Sequence, residues 1–253
     1  MAVSEDERNG LLRALQAGVP FIEEPFQELG KSLGLDPAQV LGALRELDEG
    51  GVLREISAVL EGSALGYESA LVAGEVPEAQ LERVVEVVNG HPTVTHNYLR
   101  NHAYNLWFTV AVPVEMGLEP SLRALEQASG IRHFHALKRT ATFKIGVNFD
   151  PETLRNRSQT APLSDPKPLE LSEGDRRCFR ALQTPLPLCE RPFEALAEKA
   201  GVSEAELLAF GRCHLGGAIR RYVGTLRHRR LGVGAKDQYG LTRVAYAGDC
   251  DDG

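Results

Sequence analysis

The feature that most restricts the fold of this chain is an internal repeat. The segment Leu11–Gln16 (LLRALQ) returns as Cys178–Gln183 (CFRALQ). Further matches follow in the same order: Pro20 with Pro187, Pro25-Phe26 with Pro192-Phe193, and Leu33-Gly34-Leu35 with Ala200-Gly201-Val202. Self-similarity over a whole supersecondary unit indicates duplication. We therefore expect two copies of one small helical module.

Each copy has the pattern of a winged helix-turn-helix. In the first copy, helices are expected over residues 5–17 and 25–33, and Gly34 ends the second of them. Asp36-Pro37 suits the N-cap and first position of a third helix. That helix has an apolar row at helical spacing, made of Val40, Leu41, Leu44 and Leu47. Residues 52–60 then predict the strand of a wing.

Between the two copies the pattern changes to strand, helix, two strands, helix, strand. The expected strands cover residues 68–76, 93–102, 104–112 and 131–147, and the expected helices cover 77–89 and 119–129. This βαββαβ order is typical of a ferredoxin-like domain. The predicted fold class is α+β. The predicted segments are a winged helix (1–62), a ferredoxin-like ligand domain (63–150), a linker (151–168), a second winged helix (169–235) and a tail (236–253).

Charge limits the partners of the chain. The formal net charge of −7 over 253 residues argues against a protein that binds nucleic acid with its whole surface. The third helix of the first copy has one basic residue, Arg45, against four acidic ones: Asp36, Glu46, Asp48 and Glu49. Phosphate contacts require clustered cations. We therefore expect DNA binding to be weak and without sequence preference.

Hydrophobic and cysteine patterns indicate the compartment. No apolar run is long enough to cross a bilayer, and the first ten residues do not resemble a signal peptide. The four cysteines lack paired metal-ligand spacing and lie in the C-terminal part: Cys178, Cys189, Cys213 and Cys250. A reducing cytoplasm is the simpler interpretation, and no metal site is predicted.

One stretch in the predicted sheet has unusual chemistry. Residues 96–109 hold two histidines, an arginine, two tyrosines and the single tryptophan. On an extended strand, alternate side chains share a face. The expected face carries His96, Tyr98, Arg100, His102 and Tyr104. A row of proton donors with one permanent cation suits an anionic, planar ligand.

The run Tyr98–Thr109 (YLRNHAYNLWFT) resembles the signature of the siroheme decarboxylase family. The resemblance covers residues 9–146 and a second partial unit, 169–235. It implies an Lrp/AsnC-like architecture and an enzyme that removes acetate carboxylates of siroheme to give didecarboxysiroheme, in the biosynthesis of haem or of a nitrite-reductase haem. A fused two-unit member would begin a second ligand domain near Ala235, where this sequence continues with KDQYG and acidic residues.

The resemblance, together with the chemistry of decarboxylation, implies roles for named residues. His102 is the expected general acid, with His96 as alternative, and Arg100 would hold a carboxylate. The expected substrate-binding residues are Tyr98, Tyr104, Asn105, Trp107, His133, His135, Lys138, Arg139, Arg220 and Arg221. Siroheme is the expected substrate, and no further cofactor is required because the macrocycle can delocalise the developing charge.

Two other interpretations stay open at this point. An Lrp/AsnC-type ligand-responsive transcription regulator would have the same order of elements. A catalytically silent subunit that completes the site of another chain is also compatible with a missing second ligand domain. In each case we expect a homodimer, or a heterodimer with a related subunit, because one face of the predicted sheet would otherwise be uncovered.

Overall fold

The computed structural model describes residues 3–137, 142–149, 156–163 and 168–227, and of Thr95, His96, 142–149 and 156–163 it describes the backbone alone. Two compact units are present. The winged-helix unit comprises Met1–Glu61 and Phe143–Gly234, and the sheet unit is centred on Gly62–Thr142. The predicted α+β fold class is confirmed.

The α-helices of the described residues are α1 (Glu5–Ala17), α2 (Pro25–Lys31), α3 (Pro37–Glu49), α4 (Leu81–Gly90), α5 (Leu118–Ser129), α6 (Glu173–Gln183), α7 (Pro192–Ala200) and α8 (Glu204–His214). The strands are β1 (Leu53–Leu60), β2 (Tyr67–Gly74), β3 (Val94–Leu99), β4 (Leu106–Pro113), β5 (Phe134–Leu137), β6 (Thr142–Phe149), β7 (Asn156–Leu163) and β8 (Ile219–Leu226).

Local sequence signals account for the helix starts in both copies. Asp36 is the N-cap of α3, and its side chain accepts a hydrogen bond from the Gln39 N–H while Gln39 bonds back to the cap. Similar reciprocal caps begin α1, α6 and α8 at Ser4, Ser172 and Ser203. Each cap satisfies backbone N–H groups that have no partner inside the helix. The starts predicted for α1, α2 and α3 of the first copy are reproduced, while α2 ends two residues earlier than predicted.

The two winged-helix copies pair with each other through their wings. Strand β1 runs antiparallel to β8, with Ser57 opposite Val223. The Val19 N–H donates to the Tyr222 carbonyl at 2.8 Å, and the N–H of Leu186, the equivalent of Val19, donates to the Ile56 carbonyl at 2.8 Å. Each wing thus covers the strand edge of the other. The copies form one unit, whereas the sequence interpretation treated them as separate domains.

The sheet unit has the predicted ferredoxin-like topology. Its four strands lie in the order β3-β4-β2-β5. One face is covered by α4 and α5, and the buried residues between helices and sheet include Val72, Val84, Val88, Leu106, Phe108, Val110, Leu122 and Leu125. Along β4, buried and half-buried residues alternate, so that Trp107, Thr109 and Ala111 lie on the open face. No helix of the described residues is long and apolar enough to cross a membrane.

Two predicted segments differ from the structure. The last strand of the sheet, predicted over 131–147, is the short β5, and β6 pairs instead with β7 in a separate two-stranded sheet. Strand β7 lies inside the segment predicted to be a linker, residues 151–168. Alternation of polar and apolar residues indicates an extended chain, but it does not identify the pairing partner. The sequence therefore predicted β5 and β6 as one strand and did not predict β7.

Candidate functional site

A cavity of about 750 Å³ opens at one edge of the sheet unit. Its lining comes from the segment after β2, the loop between β3 and β4, the turn between α5 and β5, and β5 itself: Glu75, Val76, Pro77, Gln80, Ala103, Tyr104, Asn105, Gly130, Ile131, Arg132, His133 and His135. The volume lies in the range of about 300–1,000 Å³ typical of small-molecule sites. This cavity contains four of the predicted site residues.

The loop between β3 and β4 changes the predicted geometry of the polar stretch. Strand β3 ends at Leu99, and the Arg100 N–H donates to the Asn105 carbonyl at 2.7 Å. The His102 N–H donates to the Arg100 carbonyl at 3.0 Å inside this turn. Arg100, His102 and Tyr104 are therefore loop residues, and the prediction that they continue one strand face is wrong. Antiparallel neighbours require a turn, and these residues provide it.

Trp107 anchors this loop to the open face of the sheet. Its indole N–H donates to the Tyr104 carbonyl at 2.7 Å. The Arg100 guanidinium carbon lies 5.5 Å from the centre of the Trp107 ring, a cation–π contact. By strand register, Trp107 lies opposite Tyr98 on one side and Ala73 on the other. Trp107 thus places the Arg100 cation on the open face, next to the loop that lines the cavity.

Asn105 bonds to the backbone of Val76 in the cavity wall. Its amide oxygen accepts a hydrogen bond from the Val76 N–H at 2.9 Å, and its amide nitrogen donates to the Val76 carbonyl at 2.7 Å. The side chain is therefore used to join two segments of the cavity wall. The partly buried N–H and carbonyl of Val76 need hydrogen-bond partners, and Asn105 supplies both. Asn105 also lines the cavity, and its predicted role in substrate binding stays a prediction.

Aromatic and imidazole rings form a continuous row at the cavity. The ring centres of His102 and Tyr104 are 6.1 Å apart, those of Tyr104 and His135 are 4.9 Å apart, and those of His135 and His133 are 4.4 Å apart. The His102 Nδ1 accepts a hydrogen bond from the Tyr104 N–H at 3.1 Å. The structure therefore brings together four predicted site residues, His102, Tyr104, His133 and His135, although they come from two separate segments.

One carboxylate at this site was missed by the sequence interpretation. Oε1 of Glu126 lies 3.3 Å from Nδ1 of His133 and accepts a hydrogen bond from the Phe134 N–H at 2.7 Å. Glu126 lies one helical turn after Leu122, next to the buried stripe of α5. A charged residue close to the buried stripe of an amphipathic helix requires a partner, and this was the available signal. Gly130, in the left-handed region at φ 73°, ends α5 and turns the chain towards His133.

Five other predicted residues lie in the other unit or outside the described side chains. His96 lies in β3, where only its backbone is described, and Lys138 and Arg139 lie outside the described residues. Arg220 and Arg221 belong to β8 of the winged-helix unit. Arg220 pairs with Glu61 at 3.7 Å, and burial, together with the neighbouring Arg220, holds the pKa of Arg221 below its usual value.

A cleft of similar size, about 760 Å³, lies in the winged-helix unit. It is lined by Arg45 and Arg191, but also by three glutamates: Glu190, Glu194 and Glu198. Arg191 is already paired with Glu204, Glu23 and Glu194. Three glutamates in the lining repel a ligand that itself carries several carboxylates. The cavity of the sheet unit is therefore the better site for an anionic ligand. Among the described residues, no group of three or more His, Cys, Asp or Glu is arranged to hold a metal ion.

The family models agree with both units. A model described as the siroheme decarboxylase NirDL-like HTH domain matches residues 9–54 and 175–212, and a model of the AsnC-like ligand-binding domain matches residues 64–144. Two paired winged helices and one ferredoxin-like ligand domain with a cavity thus define a protein of AsnC-like architecture.

Similarity to known proteins identifies the family within this class. The siroheme decarboxylase of Hydrogenobacter thermophilus is 35% identical over 230 residues, which are 90% of this chain and 68% of that protein. The siroheme decarboxylase alpha subunit of Desulfovibrio desulfuricans is 40% identical over 139 residues, 55% of this chain and 80% of that subunit. The crystal structure of the siroheme decarboxylase NirDL superposes with a TM-score of 0.70 at 31% identity, over 87% of this chain and 65% of that one. The chain belongs to the siroheme decarboxylase family, which is a family of enzymes.

Proposed function

We propose that this chain removes acetate carboxylates of siroheme to give didecarboxysiroheme, in the biosynthesis of haem or of a nitrite-reductase haem. One observation carries the proposal. The sheet unit has a cavity lined by His133, His135 and Tyr104, and Arg100 lies over the Trp107 ring next to it. The chain with this cavity belongs to the siroheme decarboxylase family. NirDL has been crystallised with an iron-uroporphyrin III analogue, a tetrapyrrole of the same general kind. The chain spans about two thirds of that protein's length, 65%.

The residues around the cavity suit a planar polyanion. Arginine presents a forked donor that matches a carboxylate, and Arg100 is held in place by the Trp107 ring. Tyr98 lies next to Trp107 in register on β3, and together they offer an aromatic surface beside the cation. We propose that Arg100 binds a carboxylate of the tetrapyrrole, while Tyr98, Tyr104 and Trp107 contact its ring.

The proposed reaction needs a proton rather than a separate cofactor. Loss of CO2 from an acetate arm leaves an electron pair at a carbon attached to the conjugated macrocycle, and a proton must replace the carboxylate. Imidazole is suited to this transfer near neutral pH. His102 is the donor implied by the sequence motif. His133 is the second imidazole placed for this role, because it lines the cavity itself.

Assembly with another chain is part of the proposal. Relatives of this chain are described as alpha, NirG and NirDL subunits of siroheme decarboxylase. On the open face of the sheet, Leu71 and Leu137 lie opposite each other and are 40% and 45% exposed. We propose that a second subunit, the same or related, covers this face. Activity should then fall on dilution, and light scattering should detect the dimer.

A transcription regulator is the second candidate, since an AsnC-like domain joined to winged helices occurs in both classes. The described winged-helix unit disfavours it, because Arg45 of α3 and Arg212 of α8 donate to backbone carbonyls inside the unit. A mobility-shift assay at physiological salt, with the upstream region of the gene as DNA, tests this candidate. Tight, salt-sensitive and sequence-specific binding would favour the regulator.

The proposed activity is tested by anaerobic incubation of the full chain with siroheme, followed by mass analysis of the extracted tetrapyrrole. We expect stepwise loss of two carboxylates as CO2. The Arg100→Ala variant is assayed beside the wild type, and its turnover should be lower. If the wild-type chain binds siroheme and returns it unchanged at every protein concentration, alone and with a related subunit, the proposed function is wrong.

A further inference from the structure

His133, which lines the cavity, and His102, in the loop beside it, differ in the groups that contact their Nδ1 atoms. Nδ1 of His133 faces the Glu126 carboxylate at 3.3 Å. Nδ1 of His102 faces the Tyr104 backbone N–H at 3.1 Å, so that this nitrogen accepts a hydrogen bond. The first arrangement favours a proton on Nδ1 of His133. The second requires a lone pair on Nδ1 of His102.

This difference decides which ring can exchange a proton without losing its contact. A neutral imidazole has one N–H and one acceptor nitrogen, and an imidazolium has two N–H groups. His133 can gain and release a proton at Nε2 while Nδ1–H stays next to Glu126 in both forms. To act as an acid, His102 must first be protonated at Nδ1, which would break its bond from Tyr104 in each turnover.

Glu126 is placed as a fixed orienting group. Its side chain is 17% exposed, whereas that of His133 is 65% exposed. The carboxylate is also held by the Phe134 N–H, and α5 carries it on the side facing the core. Other charged or titratable groups at the cavity are Arg132, His135, Tyr104 and Glu75. Of the described groups, Glu126 is the acidic one in contact with His133.

We infer that His133 delivers the proton in the decarboxylation and that Glu126 is its positioning residue. The inference rests on the proposed function. It follows the general rule that a catalytic imidazole is held in one tautomer by a carboxylate on its far nitrogen, which also stabilises the imidazolium. On this account His102 helps to shape the loop rather than acting as the acid.

The bond between the methylene carbon and the carboxylate carbon of an acetate arm breaks, and CO2 leaves. The electron pair stays on the methylene carbon and its conjugated ring. The Nε2–H bond of protonated His133 breaks, its proton forms the new C–H bond of a methyl group, and the bonding pair returns to Nε2. His133 then takes a proton from solvent, to which it is exposed.

The proposed positioning of His133 by Glu126 is tested without substrate. In a protein labelled with ¹⁵N-histidine, long-range proton–nitrogen spectra report the tautomer of each ring, and His133→Asn identifies the His133 signals. We expect the Nδ1–H tautomer in the wild type. Oε1 of Glu126 contacts both Nδ1 of His133 and the Phe134 N–H, so Glu126→Gln would keep an acceptor at Nδ1, whereas Glu126→Ala removes it. In Glu126→Ala the ring should therefore shift towards the Nε2–H tautomer. An unchanged tautomer in Glu126→Ala would overturn the positioning role.

The catalytic part is tested by turnover of siroheme with separate measurement of binding. Removal of a general acid typically lowers the rate about 10²–10⁴-fold. We expect kcat of His133→Asn to decrease by a factor in this range, with little change in the affinity for siroheme. Glu126→Ala should lose about 10²-fold in kcat, and Glu126→Gln, which keeps an acceptor at Nδ1, should recover part of it. Glu119→Ala, on the exposed first turn of α5, is the matched control and should keep full activity.

The outcomes separate this inference from the proposed function. If His102→Ala loses more kcat than His133→Asn, or if Glu126→Ala changes the tautomer and keeps its rate, the inference is wrong although the enzyme still decarboxylates siroheme. If the wild type produces no decarboxylated tetrapyrrole, the proposed function fails and the role of His133 fails with it. The tautomer spectra then still decide whether Glu126 orients the ring.

Discussion

Arg45 on α3 donates a hydrogen bond to the backbone carbonyl of Leu188, at 3.0 Å, across the boundary between the two winged-helix copies. The offset that aligns Leu11 with Cys178 also aligns Arg45 with Arg212 and Phe21 with Leu188. Arg212 donates to the Phe21 carbonyl at 2.8 Å. The two contacts are thus related by the repeat, and each copy holds the other. The third helices, which would read DNA in a regulator, use these arginines within the protein.

Loss of these arginines should destabilise the winged-helix unit unequally. The contact of Arg212 is partly buried and that of Arg45 is exposed. A hydrogen bond from a charged donor contributes about 1.5–3 kcal/mol when shielded from solvent, and about 1 kcal/mol or less at an exposed position. We therefore expect Arg212→Ala to lower the free energy of unfolding more than Arg45→Ala. Urea unfolding of both variants measures the difference, and equal effects would contradict the structural ranking.

Removal of the Tyr222 hydroxyl is not expected to destabilise the fold. Its side chain is 1% exposed, packs against Phe21 with ring centres 4.8 Å apart, and its hydroxyl has no hydrogen-bond partner among the described residues. An unsatisfied buried polar group costs about 1–3 kcal/mol. Tyr222→Phe should therefore leave stability unchanged or raise it by about 1 kcal/mol. A loss larger than that would mean that the hydroxyl has a partner.

The same residue gives a pH dependence of stability. Burial raises the pKa of Tyr222 far above its ordinary value. The folded state then keeps the proton that the unfolded chain releases above about pH 10. The free energy of unfolding should fall as pH rises beyond that value, and it should fall less in Tyr222→Phe. Unfolding measured from neutral to alkaline pH in both proteins checks this, and parallel curves would contradict it.

Asn105→Ala should damage the cavity wall rather than the chemistry. The substitution removes both partners of Val76 and leaves its N–H and carbonyl unsatisfied in a partly buried position. We expect a loss of stability of about 1–3 kcal/mol and weaker binding of siroheme, with kcat of the bound complex less affected. Thermal unfolding and an absorbance titration measure the two effects. Normal stability in this variant would show that water replaces the amide.

Arg100→Ala should weaken binding of the tetrapyrrole, and Arg100→Lys should restore it only in part. A lysine can supply the charge, but it cannot provide the planar pair of donors or the same contact with Trp107. The expected loss in affinity is roughly tenfold or more, given about 1.5–3 kcal/mol for a charged hydrogen bond. Absorbance titration with siroheme measures it. Unchanged affinity in the alanine variant would remove Arg100 from the site.

The sequence predicted those parts of the fold that depend on local signals. Asp36-Pro37 marked the start of α3, and the repeat located its equivalent in the second copy. The end of β3 was not predicted, because His102 and Tyr104 continue the alternation of the strand although their backbone turns. The pairing of Glu126 with His133 depends on how α5 packs against the sheet, and no local pattern specifies that contact.

The most direct test of the account is turnover of siroheme in D2O under anaerobic conditions, with mass analysis of the product. If the chain cleaves the acetate carboxylates and an exchangeable imidazole proton replaces each one, the product gains one deuterium at carbon for every CO2 lost. The wild type should give two such replacements, and His133→Asn should give them far more slowly. Recovery of bound but unchanged siroheme, or loss of CO2 without deuterium at the new methyl groups, would contradict the account.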